Sequence, residues 1–302
     1  ANMYLRCAER VFINMGEFKA LTFEDLFQGT KAIEWEKLLP EDACFPVSGK
    51  SVKSVLHSVP DCQAIVKKAI VERLKGVYKK EWFEETGPKY KIEISILNDV
   101  ALLTVDTSGA GLHKRGYREL AVKAPIKETL ACAMLDLSRW KPDRPLLDPF
   151  CGSGTIAIEA AMIGKHIAPG LKREFDFEKW PCCDKNIMKK VRQEAETQVL
   201  SDEEAGLRIF ASDIDYFALK QAKKNAELAG VGGCIHFQKL DYSKAGSKYQ
   251  KGFIVTNPPY GERLEDENYA IELYKGMGKT FKTFDDWSYF VITSNKFFEK
   301  YF

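Results

Sequence analysis

Two short runs of this sequence could do chemistry. The first is Asn257-Pro-Pro-Tyr260, which follows the apolar stretch Phe253–Thr256. An exocyclic amine on a base or an amide is a poor nucleophile, because its lone pair is delocalised. The side-chain oxygen of Asn257 and the carbonyl of Pro258 can each accept one amine hydrogen. That arrangement turns the lone pair toward an electrophile and favours sp³ character as attack begins. The prolines stiffen the turn and fix the carbonyl. Tyr260 offers a ring on which a planar target can stack, worth about 1–3 kcal/mol per base. A base held in a helix would first have to flip out to reach it. No deprotonating residue is required, since alignment and electrostatics can carry the step. Asn257, Pro258 and Tyr260 are the catalytic candidates, and a ligand-free turn is the bland alternative.

The second run is Asp148-Pro-Phe-Cys-Gly-Ser-Gly-Thr155. An apolar strand ends in an acid and turns through two glycines into a helix. Gly152 and Gly154 let the backbone turn sharply and approach a ligand with no Cβ in the way. The helix N-terminus favours an anion by roughly 0.3–1 kcal/mol, either a phosphate or the carboxylate of a methionine moiety. The lysine of a phosphate-binding P-loop is missing, and the spacing is not GxGxxG. Ile209–Asp213 also ends in an acid, which can accept both hydroxyls of a ribose. Asp215 reads equally as a helix cap or a ligand. Asp241 follows the next strand and could accept from an adenine amine. Three acids in this order at successive strand ends look like the class I S-adenosylmethionine methyltransferases. The cofactor candidates are Asp148, Phe150, Gly152, Ser153, Gly154, Thr155, Asp213, Ile214, Asp241 and Asn257.

The elements that must position these residues alternate after Pro125. The patterns predict helices Lys127–Leu137, Thr155–Gly164, Asp184–Leu200, Asp215–Leu228 and Tyr269–Thr283. Strands are expected at Pro145–Phe150, Leu207–Ser212, Cys234–Gln238, Phe253–Thr256 and Tyr289–Thr293. Such alternation implies an α/β fold, a parallel, doubly wound sheet with ligands at the carboxyl ends of its strands. Before residue 120 the patterns are shorter and mixed. Ala1 opens in what reads as an amphipathic helix (Leu5, Ala8, Val11). A helix is expected over Asp61–Leu74, with Asp61 as N-cap and Gly76 as its stop. Tyr90–Ile96 alternates like a half-buried strand, with Val100–Val105 as its hairpin partner across Asn98-Asp99. The expected division is a smaller mixed region over 1–120 and a Rossmann-like domain over 121–302.

The net charge of +2 decides little, but its distribution is uneven. Lys50–Lys80 holds eight Lys/Arg against Asp61 and Glu72, a local field that attracts polyanions, or else a solvated helix face. Ser108–Arg118 is a glycine-rich basic loop. The expected phosphate contacts of such a polyanion are Lys50, Lys53, Lys67, Lys68, Lys114, Arg115 and Arg118. Eight scattered cysteines show no zinc spacing and fit reduced thiols in the cytoplasm, so no metal is expected. No apolar run is long enough to span a membrane, and Ala1–Arg6 has no signal-peptide pattern.

The chain resembles the bacterial THUMP-domain methyltransferases that modify guanine N2 of 23S rRNA, often labelled N6-adenine-specific DNA methylases. The carriers are Val11–Glu24 with Phe27–Thr30, Lys50–Ser54, Val59–Lys68, Gly111–Arg118 and Ala124–Leu130, beside the two motifs above. The resemblance implies an α+β THUMP module of RNA-binding type ahead of the catalytic domain, with S-adenosylmethionine as methyl donor and RNA as partner. It also implies that Pro125, Lys127, Glu128 and Thr129 lie near the cofactor mouth. Enzymes similar in the Asn-Pro-Pro-Tyr motif act on adenine N6, cytosine N4, guanine N2 or protein glutamine. A tRNA guanine-N2 enzyme, a DNA adenine-N6 enzyme and a non-catalytic RNA-binding assembly factor therefore stay open. Against the family pattern, a first strand–helix portion precedes Ala1 and closing antiparallel strands follow Phe302. Both are expected to lie in segments outside these residues.

Overall fold

The computed structural model describes residues 1–118, 125–259 and 264–302, the last segment with side chains from Tyr269 onward. The chain packs as two units. The first comprises residues 1–2, 9–112 and 174–191, and the second residues 3–8, 113–173 and 192–302.

In the first unit, strands β1 (Phe12–Lys19), β2 (Val47–Val52), β3 (Lys91–Leu97) and β4 (Val100–Asp106) form a sheet ordered β1-β4-β3-β2. Only the β2–β3 pair is parallel. The β3–β4 hairpin turns on Asn98 and Asp99, at φ 50° and 64°. Two positive φ values in a two-residue loop match the right-handed twist of the strands, and Asn and Asp tolerate them. Ile92, Ile94 and Ile96 point into the core, as their alternation requires. Helix α1 (Phe23–Ala32) starts from a capping box between Thr22 and Asp25. Helix α2 (Val59–Tyr78) buries Val66, Ile70 and Leu74. Trp180, from the returning segment, stacks on Tyr90 at 4.5 Å between ring centroids.

Two local expectations change. The opening residues form turns and then β1, not a helix, because pairing along β4 satisfies a full strand of backbone groups. The apolar spacing of Leu5, Ala8 and Val11 has no such compensation. Helix α2 also runs past both expected ends. Its N-cap is Ser58, whose hydroxyl donates to Asp61 at 2.6 Å, with Pro60 in the first turn where no amide partner is needed. Gly76 stays helical, and Lys79 takes the left-handed C-cap at φ 56°.

The second unit holds α3 (Glu128–Ser138), β5 (Leu146–Asp148), α4 (Thr155–Gly164), β6 (Ile209–Asp213), β7 (Ile235–Lys239), β8 (Phe253–Thr256) and β9 (Ser288–Val291). Helix α5 (Lys185–Thr197) and the short α6 (Asp202–Ala205) precede β6, α7 (Tyr216–Ala229) follows it, α8 (Leu264–Phe281) precedes β9, and α9 (Phe298–Tyr301) follows β9. The sheet is wholly parallel, in the order β7-β6-β5-β8-β9. The chain winds outward from β5 to β7 and then returns to β8 on the other side of β5. That reversal opens a crevice at the carboxyl ends of β5 and β8. Leu146, Ile209 and Ala211 pack with Ile156 and Ala160 of α4 and Leu219 and Ala226 of α7 on one face. Leu147 and Ile254 pack on the other with Tyr274, Phe281 and Trp287. No described helix is long and apolar enough to cross a membrane.

Candidate active site

The acid at the end of β5 is sealed from solvent. Asp148 is 1% exposed, and its Oδ1 accepts from the Thr256 hydroxyl on β8 at 2.7 Å and from the Phe150 amide at 3.2 Å. Burial pushes its carboxyl up to about 7, the nearby Asp213 adds to the rise, and the two hydrogen bonds oppose it. Asp148 thus ties the two strands that flank the crevice.

The glycine turn is held from both sides. The Cys151 amide donates to the Ser212 carbonyl at 3.0 Å, and the Gly154 amide to the Cys151 carbonyl at 2.7 Å. Gly152 sits at φ 52° and Gly154 at φ 83°, which L side chains rarely adopt. A Cβ on Gly154 would come within 3.0 Å of the Ala222 Cβ, so α4 and α7 approach closely there. A Cβ on Gly152 would meet nothing within 4 Å, leaving open space in front of the loop. Asn225 is fully buried on α7 and donates to the Ser153 carbonyl at 3.1 Å. Sequence reading passed over Asn225. Its signal was a polar residue inside the apolar stripe Leu219-Ala222-Ala226-Ala229.

Asp213 uses both carboxylate oxygens on backbone. Oδ2 accepts from the Gly152 amide at 2.8 Å and Oδ1 from the Asp215 amide at 2.9 Å. Asp215 caps α7 by accepting from the Phe217 amide at 2.8 Å. Ile214 stands 59% exposed between them. Asp241 caps a short turn, accepting from the Ser243 amide and hydroxyl at 2.9 and 2.6 Å, and those bonds hold its carboxyl below the usual range. Phe150 stacks on Tyr242 at 5.1 Å.

At the end of β8, Asn257 Oδ1 is buried and has no hydrogen-bond partner among the described residues. A buried acceptor left unpaired costs about 1–3 kcal/mol, so it needs a reason. Pro258 is buried beside it. Tyr260 lies outside the described residues. The carboxyl ends of β5, β6, β7 and β8 thus carry Asp148, the 151–155 turn, Asp213, Asp241 and Asn257. Their chemistry fits a ligand with hydroxyls and a donor amine.

Residues 115–118 turn inward, contrary to expectation. Arg115 is 3% exposed, and its Nε lies 3.6 Å from Oε1 of the fully buried Glu159 on α4. The same carboxylate accepts from the Tyr117 hydroxyl at 3.0 Å and the Cys132 thiol at 2.9 Å. Arg118 donates to Thr155 Oγ1 at 2.6 Å and pairs with Glu128 at 3.3 Å. Arg115 is therefore not placed to meet a phosphate, and Arg118 is committed to the N-termini of α3 and α4. A buried carboxylate needs a cation more than RNA does, and the fold supplies one. Lys114 remains exposed.

In the first unit the basic segment is also partly spent. Lys67 donates to Glu85 and to the Phe45 carbonyl and lies 3.5 Å from the Phe45 ring centroid, so it too is turned away from a polyanion. Lys50 pairs with Glu93 at 2.9 Å but stays exposed, as do Lys53 and Lys68.

Residues 115–302 match the family described as "RMKL-like, methyltransferase domain", and residues 20–106 match the THUMP domain. The chain belongs to this methyltransferase family. The Bacillus subtilis protein named "Putative RNA methyltransferase YpsC" is 53% identical over 302 residues, which is 99% of this chain and 78% of the relative. A structure from Listeria monocytogenes, described as a predicted N6-adenine-specific DNA methylase, is 52% identical with a TM-score of 0.93. It covers 99% of this chain, which spans 78% of its length. The structure of SMU.472, complexed with S-adenosylhomocysteine, is 45% identical with a TM-score of 0.92, over 100% of this chain and 80% of its own. The α/β class and the N-terminal THUMP domain of the family are those the sequence implied.

Proposed function

We propose that the chain transfers the methyl group of S-adenosylmethionine to an exocyclic amine of RNA, N2 of a guanine in 23S rRNA. The observation that carries this reading is the buried, unpartnered Asn257 Oδ1 at the end of β8. Among the described residues it is an acceptor without a donor, at the carboxyl end of β8 beside β5, and an amine hydrogen would satisfy it. Asn257 and Pro258, with Tyr260 by sequence, hold the target amine. Asp213 and Asp241, at the ends of β6 and β7, accept from the ribose and the adenine amine of the donor. The turn 151–155 accommodates its methionine end, with Asp148 and Phe150 beneath. When bound, the donor supplies an electrophilic methyl on sulfonium. The residues of the chain orient the amine and exclude water, and the amine proton leaves to solvent after transfer. Family membership supports the reaction class. The THUMP domain and the relative named as an RNA methyltransferase support RNA.

The test is transfer of tritiated methyl from S-adenosylmethionine to deproteinised rRNA, tRNA and duplex DNA, with the product nucleoside identified. N2-methylguanosine in the 23S fraction is the expected result. Label in tRNA alone, or in DNA adenine, overturns the rRNA assignment. Asn257→Ala should cut transfer at least a hundredfold, as for removal of one preorganised polar group. Binding of S-adenosylhomocysteine, measured by calorimetry, should persist in that variant. Near-normal rates would remove Asn257 from the amine clamp.

A further inference from the structure

The outer face of α7 is unusual for a solvated helix. It begins with two exposed aromatics, Tyr216 at 61% and Phe217 at 79%, whose ring centroids are 6.1 Å apart at 72°. Lys220 and Lys223 follow, both exposed. Tyr216, Lys220 and Lys223 recur at i, i+4 and i+7, so they share one side of the helix, and Phe217 sits beside Lys220 at i+3. The acids on this face are Asp215, whose carboxylate caps the helix, and Glu227 at the far end. The pair is not there to fill a core, because Ala218, Leu219, Ala222 and Ala226 already do so on the opposite face. The aromatic end follows Asp213 directly, so it stands at the carboxyl edge of the sheet, where ligands bind.

Exposed rings followed by lysines suit one partner better than others. A flexible nucleic-acid strand offers a base face for each ring and phosphates for the ammonium groups. A second copy of this chain would have to bring acids to the lysines and apolar surface to the rings together. We propose that this face of α7 is an RNA contact of the catalytic unit, in which Tyr216 and Phe217 stack on unpaired bases and Lys220 and Lys223 hold the adjoining phosphates. The proposal rests on the RNA-substrate reading above and adds the surface that grips the strand outside the target base.

The experiment compares the wild-type chain with Tyr216→Ala/Phe217→Ala and with Lys220→Ala/Lys223→Ala. Binding of a fluorescein-labelled, mixed-sequence single-stranded RNA of twelve nucleotides is followed by anisotropy across a salt series. S-adenosylhomocysteine binding and sedimentation are measured alongside. The aromatic variant should bind RNA about tenfold or more weakly, from the loss of stacked bases. The lysine variant should lower the salt slope by roughly one to one and a half, from two lost phosphate contacts on a single strand. Cofactor-product affinity should be unchanged in both. If wild type binds the RNA and both variants match it, this proposal falls while the RNA reading stands. If wild type neither binds nor methylates RNA, both fall. A loss of S-adenosylhomocysteine affinity in the aromatic variant would assign the rings to the cofactor pocket. A dimer that the aromatic variant dissolves would assign them to a second copy.

Discussion

Asp148 shows how one residue can trade stability for position. Its carboxyl is buried between β5 and β8 and titrates near 7, well above an ordinary aspartate, chiefly because the charged form is denied solvent. The native state therefore holds a proton that the unfolded chain releases at lower pH. The protonated group costs the fold nothing below the unfolded value, and the penalty grows as pH rises to the folded value. Asp148→Asn keeps an acceptor for Thr256 without the charge. It should raise the thermal midpoint at pH 8, by at most about 4 kcal/mol in equivalent stability, and the gain should shrink toward pH 4. Melting curves across that range check it, and a pH-independent difference would contradict the assignment. Asn257 is the complementary case. Its type and place are legible in the sequence, but that its oxygen is buried and, among the described residues, unpaired is not, because burial depends on what β8 packs against.

At the scale of elements, the run Arg115–Arg118 closes a polar cluster around α4. Thr155 and Glu159 lie one helical turn apart, and the loop reaches both, with Arg118 on the first and Arg115 and Tyr117 on the second. Breaking such a buried pair leaves an uncompensated charge, at a typical cost of about 3–5 kcal/mol. Arg118→Ala should accordingly lower the unfolding free energy, read from denaturant titration, by an amount in the lower part of that range, because its side chain is 17% exposed. It should leave the salt slope of RNA binding unchanged. A flattened slope with unaltered stability would return Arg118 to the phosphate-contact role. The sequence could not separate these roles. A basic, glycine-rich loop looks the same whether its cations face water or Glu159, and Glu159 sits in an apolar helix run far along the sequence from Arg115, and 42 residues from the Tyr117 hydroxyl it accepts from. Elements with strong local signals fared better. Helix α4 and strand β8 have the predicted ends, and the β3–β4 turn is the one Asn98-Asp99 implies.

Across the first unit, the basic count of Lys50–Lys80 overstates the field it makes. Arg73 pairs with Glu36, Lys80 with Glu41, Lys67 with Glu85 and Lys50 with Glu93, and each of those acids lies outside the segment. Lys53 and Lys68 stay exposed and are the better candidates for phosphate contacts. Replacing both by alanine should reduce the salt slope of RNA binding by roughly one or more. Lys67→Ala should leave the slope alone and lower the melting temperature, since its ammonium holds the Phe45 carbonyl and ring. The reverse pattern would restore Lys67 to the RNA surface.

The sequence by itself determined the reaction class and the order of the catalytic elements. Those rest on short-range signals: an acid at a strand end, glycines where φ must be positive, and an Asn-Pro-Pro turn, all fixed by covalent neighbours. The tertiary structure decided which charges remain available to a partner. A lysine or arginine has no sign of its fate in its own neighbourhood. Whether it meets water, a buried carboxylate or an aromatic face depends on acids and rings that only folding brings beside it.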